Sequence, residues 1–145
     1  MQLGFIGLGR MGGNMVKRLL QGGHQIVAYN RSPEPTREVE QLGATATYSL
    51  EELVKKLPAP RCVWVMVPSG KPTAENITTL STLLSAGDTV IEGGNSHYKE
   101  DAVNAAMLKQ KGIHYLDAGT SGGIWGLKIG SVSYTHLTLP TILRV

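Results

Sequence analysis

The sequence predicts an α/β fold, a doubly wound and mostly parallel sheet with helices on both faces. Short apolar runs alternate along the 145 residues with segments whose apolar residues recur at helical spacing. Strands that alternate with helices in this way favour parallel βαβ units. A glycine-rich turn follows the first apolar run directly, as it does in many nucleotide-binding units of this kind. The length is that of about one domain.

The first half of the chain carries clear helix signals. A stripe of apolar residues marks the first helix, and the glycine pair after Gln21 ends it. Ser32 and Pro33 suit the N-cap and the first position of the second helix, and Ser49 with Glu52 forms a capping box that opens the third. The predicted strands are Leu3–Ile6, Gln25–Tyr29 and Ala44–Tyr48, and the longer predicted helices are Met11–Gln21 and Pro33–Leu42.

The second half continues the alternation and ends in an unusual tail. The predicted strands are Cys62–Val67, Thr89–Glu92 and His114–Ala118, and the predicted helices are Thr73–Leu84 and Lys99–Lys111. We expect a dinucleotide-binding domain over residues 1–130. Residues 131–145 alternate Val, Tyr and Leu in a way that predicts an edge strand ended by Pro140.

Composition excludes several classes of function. Hydrophobic residues make up 41% and charged residues 17%, which is typical of an ordinary folded protein. No apolar run approaches the ~20 residues of a membrane span, and the N-terminus lacks a secretory pattern, so we expect a cytoplasmic protein with no membrane partner. The net charge of +3 is scattered rather than striped, which favours small anions over nucleic acid. The single cysteine excludes an internal disulfide, and the four histidines lack metal-ligand spacing, so no metal is expected.

The strongest motif is G-x-G-x-x-G at Gly7, Gly9 and Gly12, between the first strand and the first helix. Gly7 permits the tight turn, Gly9 lets a diphosphate approach the backbone, and Gly12 lets the helix pack closely on the strand. Unpaired amides at the helix start and the helix dipole would then receive the anion. The alternative is a packing turn without a ligand. The strand–turn–helix context favours a Rossmann-like dinucleotide site.

The end of the second strand predicts the choice of cofactor. Sites for NAD usually carry an Asp or Glu about 20 residues after the motif, which binds the ribose 2′-hydroxyl. This chain has Asn30, Arg31 and Ser32 instead. Arg31 could pair with a 2′-phosphate and Ser32 could donate to it, which favours NADP, with NAD as the alternative. The competing interpretation is that Arg31 is simply a solvated loop cation.

Further candidate residues follow the later strands. Ligands of open α/β sheets bind beyond the carboxyl ends of the strands, where this chain has three polar or glycine-rich stretches. Each stretch taken alone is more simply a turn, but their occurrence at successive strand ends favours a site. The candidates are Val67 and Pro68 near the nicotinamide, Asn95 and Ser96 for a carboxamide or sugar hydroxyl, and Ser121, Gly122 and Gly123 for a carboxylate or polyol.

Several stretches together resemble the decarboxylating 6-phosphogluconate dehydrogenases, in particular their short bacterial form. The stretches are "GFIGLGRMGGNM", "YNRS", "MVPSG", "EGGNSHYKED" and "DAGTSGGIWGLKIG". The resemblance implies an NADP-dependent oxidoreductase of the pentose phosphate pathway. Such an enzyme oxidises the C3 hydroxyl of 6-phosphogluconate, and the β-keto acid then loses CO2 to leave ribulose 5-phosphate. The resemblance ends near Gly130, and the tail resembles an unrelated segment joined at a truncated reading frame.

The resemblance also implies roles for individual residues. The implied cofactor contacts are Gly7, Leu8, Gly9, Arg10, Met11, Gly12, Asn30, Arg31, Ser32, Val67, Pro68 and Asn95, and the implied substrate contacts are Asn95, Ser121, Gly122 and Gly123. The catalytic lysine and glutamate of the family lie in a helical region that follows this domain, so no catalytic residue is assigned here. The same region forms the family's oligomers, so we expect this chain to be monomeric within an otherwise oligomeric family.

Two alternatives remain open. One is a β-hydroxyacid dehydrogenase of the 3-hydroxyisobutyrate type, against which the "GGNS" stretch and the segment around Trp125 argue. The other is a non-catalytic module that binds NADP and turns over nothing. We expect that outcome for this chain in isolation, since it lacks the general base that the resemblance implies.

Overall fold

A seven-stranded sheet forms the centre of the computed structural model, which describes residues 1–94, 96–121 and 132–135. The strands are Gln2–Ile6 (β1), Gln25–Tyr29 (β2), Thr45–Thr47 (β3), Cys62–Val65 (β4), Thr89–Glu92 (β5), His114–Ser121 (β6) and Val132–Thr135 (β7). The helices in this part are Arg10–Gln21 (α1), Pro33–Glu40 (α2), Leu50–Lys56 (α3), Lys71–Leu83 (α4) and Tyr98–Gln110 (α5).

The strand order is β3-β2-β1-β4-β5-β6-β7, in which β1 to β6 are parallel and β7 is antiparallel to β6. From β1 the chain adds β2 and then β3 toward one edge of the sheet, and from β4 it adds β5, β6 and β7 toward the other edge. The order therefore reverses between β1 and β4, which is the switch point where doubly wound sheets bind ligands. The predicted fold class, a Rossmann-like doubly wound sheet, is confirmed.

The two faces of the sheet bury separate cores because neighbouring strand residues point to opposite faces. Alternate residues of β1, β2 and β4 pack against α1 and α2 on one face, where Phe5 stacks on Trp64 with ring centroids 6.3 Å apart. The remaining strand residues pack against α3, α4 and α5 on the other face, around Leu53, Ile77 and Leu108. The two cores hold the carboxyl ends of the strands in a fixed relation.

Register places three strand ends side by side. Ile6 at the end of β1 is paired with Tyr29 of β2 and with Val65 of β4. The ladder continues one step further, because the Gly7 amide donates to the Tyr29 carbonyl at 3.0 Å and the Met66 amide to the Ile6 carbonyl at 2.7 Å. The segments that leave these three strands therefore start from one edge of the sheet.

Several predicted boundaries were wrong by one to three residues. β4 ends at Val65 rather than Val67, and β6 continues three residues beyond Ala118. α4 begins two residues before Thr73, because Gly70 adopts a φ of +84° that turns the chain into the helix. The edge strand predicted in the tail is present as β7, and Pro140 lies outside the described residues.

Two predicted caps differ in how they are made. The Ser49 hydroxyl accepts the Glu52 amide at 3.1 Å as predicted, but the Glu52 carboxylate accepts the amide of Tyr48 rather than that of Ser49. Ser32 occupies the N-cap position of α2 with Pro33 after it, but its side chain makes no capping hydrogen bond.

Candidate dinucleotide-binding site

The three glycines of the turn serve three different geometric needs. Gly7 has a φ of +95°, and a Cβ there would lie 2.1 Å from the Met66 carbonyl oxygen. A Cβ on Gly12 would lie 2.1 Å from the Gly7 carbonyl oxygen, so α1 can approach β1 only without a side chain at this position. A Cβ on Gly9 would have no atom within 4 Å. Gly9 therefore faces open space, which is where the backbone could meet a ligand.

The amides of this turn divide into two groups. The Gly7 amide bonds to Tyr29 and the Leu8 amide to the Asn30 Oδ1 atom, so both are satisfied within the protein. Among the described residues, no acceptor pairs with the amides of residues 9–12. Unpaired amides at the start of a helix form an anion-binding site. The amides of Gly7 and Leu8 are therefore closed to a ligand, and the unpaired amides begin at residue 9.

Asn30 ties the glycine turn to the loop after β2. Its Oδ1 accepts the Leu8 amide at 2.9 Å, and its Nδ2 donates to the Ser32 carbonyl at 3.0 Å. Both ends of the side-chain amide are therefore engaged in holding backbone. The resemblance implies a contact between Asn30 and the adenosine ribose, and the structure adds a role in shaping the site that sequence reasoning missed.

A cavity of about 430 Å³ opens at the switch point between β1 and β4. It is bounded by the glycine turn, the loop after β2, the loop after β4 and one side of α4. Its lining residues are Ile6, Gly7, Gly9, Tyr29, Asn30, Arg31, Ser32, Leu50, Met66, Val67, Pro68, Pro72, Glu75, Asn76 and Thr79. Its volume lies within the range of pockets for small molecules and cofactors.

Seven of the predicted cofactor residues line this cavity, and four of the others within the described residues do not. The seven are Gly7, Gly9, Asn30, Arg31, Ser32, Val67 and Pro68. Leu8 and Gly12 are buried beneath the turn, Arg10 lines a separate groove between α1 and α2, and Met11 lines neither. Ser121 is the last residue of β6, whereas Asn95, Gly122 and Gly123 lie outside the described residues.

Sequence reasoning missed the contribution of α4. Its residues Pro72, Glu75, Asn76 and Thr79 form one wall of the cavity. They are spaced at i, i+3, i+4 and i+7, so they share one face of the helix. The signal that could have found them is a mostly polar stripe at this spacing on the helix that follows β4.

The cavity is electrostatically mixed. Arg31 is its positively charged lining residue and Glu75 its negatively charged one. Glu75 is largely exposed and lies 3.6 Å from the Lys71 amine, which offsets part of its charge. The loop residues Asn30, Arg31 and Ser32 include no carboxylate. A 2′-phosphate on a bound ribose would therefore meet Arg31 without an acidic residue in that loop.

The turn after β5 is held from three sides. The Gly93 amide donates to the Val65 carbonyl at 2.8 Å, and the Thr120 hydroxyl donates to the Gly93 carbonyl at 2.8 Å. The Gly94 amide donates to the Glu92 Oε1 atom at 2.7 Å. These bonds fix the direction of the chain just before Asn95, which lies outside the described residues.

Comparison with known proteins assigns the family. A family model described as the NAD binding domain of 6-phosphogluconate dehydrogenase matches residues 2–135. The chain belongs to this family. It is therefore an NAD-binding domain of the 6-phosphogluconate dehydrogenase family, and its cavity lies at the switch point, where doubly wound sheets bind ligands.

Curated relatives within the family are named as decarboxylating 6-phosphogluconate dehydrogenases. The NAD(+)-dependent decarboxylating 6-phosphogluconate dehydrogenase of Haloferax volcanii is 40% identical over 130 residues, which is 90% of this chain and 42% of the relative. The decarboxylating 6-phosphogluconate dehydrogenase of Chlamydia muridarum is 38% identical over 133 residues, or 88% of this chain and 28% of the relative. The chain thus spans less than half the length of either relative.

Solved structures agree on the fold. Plasmodium falciparum 6-phosphogluconate dehydrogenase, solved with NADP+ and with 6-phosphogluconate, matches with a TM-score of 0.85 and 30% identity over 93% of this chain and 30% of that one. Mycobacterium tuberculosis 3-hydroxyisobutyrate dehydrogenase matches with a TM-score of 0.86 over 99% of this chain and 48% of that one. Its identity of 23% shows a shared fold alone. No helix in the described part of the chain combines the length and hydropathy that a membrane crossing requires.

Proposed function

We propose that this chain is the cofactor-binding part of an NADP-dependent 6-phosphogluconate dehydrogenase, which oxidises and decarboxylates 6-phosphogluconate to ribulose 5-phosphate. The observation that carries the proposal is the glycine turn at the switch point. There the amides of residues 9–12 have no acceptor among the described residues, and Gly9 leaves open space above the backbone. A dinucleotide diphosphate has the charge and the acceptor oxygens that this turn lacks.

The residues around the cavity fit the rest of a dinucleotide. The diphosphate would lie against the turn at Gly9, and the adenosine ribose would lie toward Arg31 and Ser32 at the end of β2. Val67 and Pro68, on the other side of the switch point, would line the nicotinamide end. The cofactor would supply the hydride acceptor, while these residues bind it, orient it and exclude water from one of its faces.

Arg31 is the basis for proposing NADP rather than NAD. Its guanidinium can form a charge-assisted pair with a 2′-phosphate, and the neighbouring Asn30 and Ser32 carry no charge that would oppose it. Relatives of both kinds exist, since the Haloferax volcanii enzyme is named as NAD(+)-dependent and the Plasmodium falciparum enzyme was solved with NADP+. Glu75 across the cavity favours NAD, but its Lys71 partner and its exposure weaken that effect.

The substrate assignment is supported by the family rather than by the cavity. Relatives of 38–40% identity are named 6-phosphogluconate dehydrogenases. Asn95, Ser121, Gly122 and Gly123 remain the predicted substrate contacts. We expect the isolated chain to bind NADP but to form no NADPH from 6-phosphogluconate, because the resemblance places the catalytic lysine and glutamate in a helical region that these residues do not match. Rapid NADPH formation by this chain would contradict that part of the proposal.

Calorimetric titration of Arg31→Asp with NADP and with NAD tests the cofactor assignment. We expect NADP binding to weaken by about 1–3 kcal/mol, the scale of a lost charged hydrogen bond, while NAD binding stays the same or improves. Arg37→Asp is the matched control, because Arg37 is an exposed cation on α2 that does not line the cavity. Equal losses for both cofactors would show that Arg31 does not contact a 2′-phosphate, and absence of binding by the unmodified chain would refute the proposed site.

A further inference from the structure

Three carboxyl groups meet where β5, β6 and α5 come together, outside the cavity. They belong to Glu92 at the end of β5, Asp101 in the first turn of α5 and Asp117 on β6. One carboxylate oxygen from each lies within 4.8 Å of the other two. Glu92 is fully buried and Asp101 is 7% exposed. Buried carboxylates this close together cannot all be ionised without a compensating positive charge.

Glu92 and Asp101 each have one satisfied oxygen and one that is not. The Glu92 Oε1 atom accepts the Gly94 amide at 2.7 Å, and the Asp101 Oδ1 atom accepts the Tyr115 hydroxyl at 2.8 Å. The Glu92 Oε2 and Asp101 Oδ2 atoms are buried and have no hydrogen-bond partner among the described residues. An unsatisfied buried oxygen costs about 1–3 kcal/mol, and more when it is charged.

One proton would satisfy both of these oxygens together. An O–H···O bond needs about 2.7 Å, and one oxygen of each carboxylate lies within 4.8 Å of the other two, so a side-chain rotation would bring the two carboxyl groups into contact. We propose that the protonated Glu92 carboxyl donates a hydrogen bond to Asp101, which ties the end of β5 to the first turn of α5. Asp101 is the acceptor because its other oxygen, Oδ1, already accepts the Tyr115 hydroxyl, which leaves Oδ2 to receive the Glu92 proton.

The groups around Glu92 agree with this assignment. Burial is the largest influence on the pKa of Glu92 and raises it to about 7. The Gly94 amide and the nearby Ser96 hydroxyl oppose this effect, and the charges of Asp101 and Asp117 add to it. On β6, Tyr115 is kept neutral because burial and its bond to Asp101 raise its pKa far above the usual value. On β4, the register neighbour of Glu92 is the uncharged Val65.

The shared proton would act as a strap across the loop between β5 and α5. It joins residues 92 and 101, which flank this loop, while the other Glu92 oxygen holds the Gly94 amide inside it. The loop contains Asn95, the predicted nicotinamide contact, so this consequence rests on the proposed function. Ionisation of Glu92 above about pH 7 would place two anions side by side and release the strap. Cofactor affinity should then fall as the pH rises.

A divalent cation is the other way to neutralise such a cluster, and the structure favours the proton. Mg²⁺ takes six ligands and Ca²⁺ six to eight, mostly oxygens and water. Glu92 and Asp101 offer one uncommitted oxygen each in a place closed to solvent. A proton needs only those two oxygens.

Carbon-13 NMR of the chain with labelled glutamate carboxyls tests the proposal directly, without any cofactor. Glu92→Gln identifies the Glu92 signal by its loss. We expect that signal to titrate near pH 7, and Asp101→Asn to lower its midpoint because the asparagine amide can donate to an ionised Glu92. Glu100→Gln removes an exposed carboxylate next to Asp101 in the sequence and should leave the Glu92 midpoint unchanged. Titration at the ordinary glutamate value near 4.5, or a shift of the signal on adding millimolar MgCl2 or CaCl2, would overturn the proposal.

The functional consequence is measured separately, as the NADP dissociation constant between pH 6 and 8.5. We expect affinity to fall several-fold with rising pH in the unmodified chain and to stay flat in Glu92→Gln, whose amide keeps the strap closed at every pH. A normal NMR midpoint refutes the shared proton, whereas failure to bind NADP at any pH refutes the proposed function instead. A parallel fall in Glu92→Gln would show that the strap does not act on the cofactor site.

Discussion

Alanine at Gly9 and alanine at Gly12 should have opposite effects, although both add one methyl group to the same turn. At Gly9 the backbone has a φ of −61° and a ψ of −176°, which any residue adopts, and the new Cβ meets no atom within 4 Å. At Gly12 the new Cβ lies 2.1 Å from the Gly7 carbonyl oxygen and 3.3 Å from the Phe5 ring. The first change alters only the surface that a ligand would touch, whereas the second pushes α1 away from β1.

The structure sets the expected magnitudes. Gly12→Ala must move a helix by about 1 Å, and overpacking of this kind costs about 1–3 kcal/mol. The higher helix propensity of alanine returns at most about 1 kcal/mol of that cost. Gly9→Ala should change the free energy of unfolding by no more than about 0.5 kcal/mol. Its methyl group would occupy the place of the diphosphate, so NADP affinity should fall at least about tenfold, or 1.4 kcal/mol.

Urea unfolding followed by circular dichroism measures stability, and calorimetric titration with NADP measures affinity. Each variant serves as the control for the other, since they differ by only three positions in the same motif. Wild-type affinity in Gly9→Ala would show that the diphosphate does not lie against this turn. Wild-type stability in Gly12→Ala would show that close helix packing is not the reason for glycine there.

Three further outcomes follow from buried polar groups. Asn30→Ala leaves the Leu8 amide without its acceptor, so urea unfolding should show a loss of about 1–3 kcal/mol, together with weaker NADP binding. Burial alone would raise the pKa of Asp88, but hydrogen bonds from neighbouring amides and from the Arg61 guanidinium lower it overall. The ionised form of Asp88 therefore stabilises the fold above pH 3.8, and this stabilisation is lost as the pH falls further. Asp88→Asn should have a lower free energy of unfolding at pH 7, and urea unfolding should show a smaller decrease of that free energy in acid. The pH dependence of stability due to Glu92 has the opposite sign, because its pKa rises from 4.5 to about 7 on folding. The free energy of unfolding should therefore fall by about 3 kcal/mol between those pH values in the unmodified chain but not in Glu92→Gln. Unfolding curves that change equally with pH in both chains would contradict this.

Much of this fold could be predicted from patterns of residues that are close together in the sequence. The alternation of strands and helices and the spacing of Gly7, Gly9 and Gly12 depend on residues close together in the chain, so the fold class and the location of the turn could be predicted from the sequence. The same holds for Arg31, because a residue that follows the second strand of such a unit must lie beside the first turn. Strand ends were less predictable, since β4 ends where a backbone ladder stops rather than where apolar residues do.

Other features were decided only by tertiary structure. Leu8 and Asn30 are 22 positions apart, and nothing in their local sequence shows that the Asn30 side-chain oxygen already occupies the Leu8 amide. The wall of the cavity formed by α4, and the cluster of Glu92, Asp101 and Asp117, exist because the sheet order places β4 beside β1 and β6 beside β5. Periodicity and motif spacing report on neighbours along the chain, whereas the satisfaction of a buried polar atom depends on every group that folding brings within about 3 Å of it.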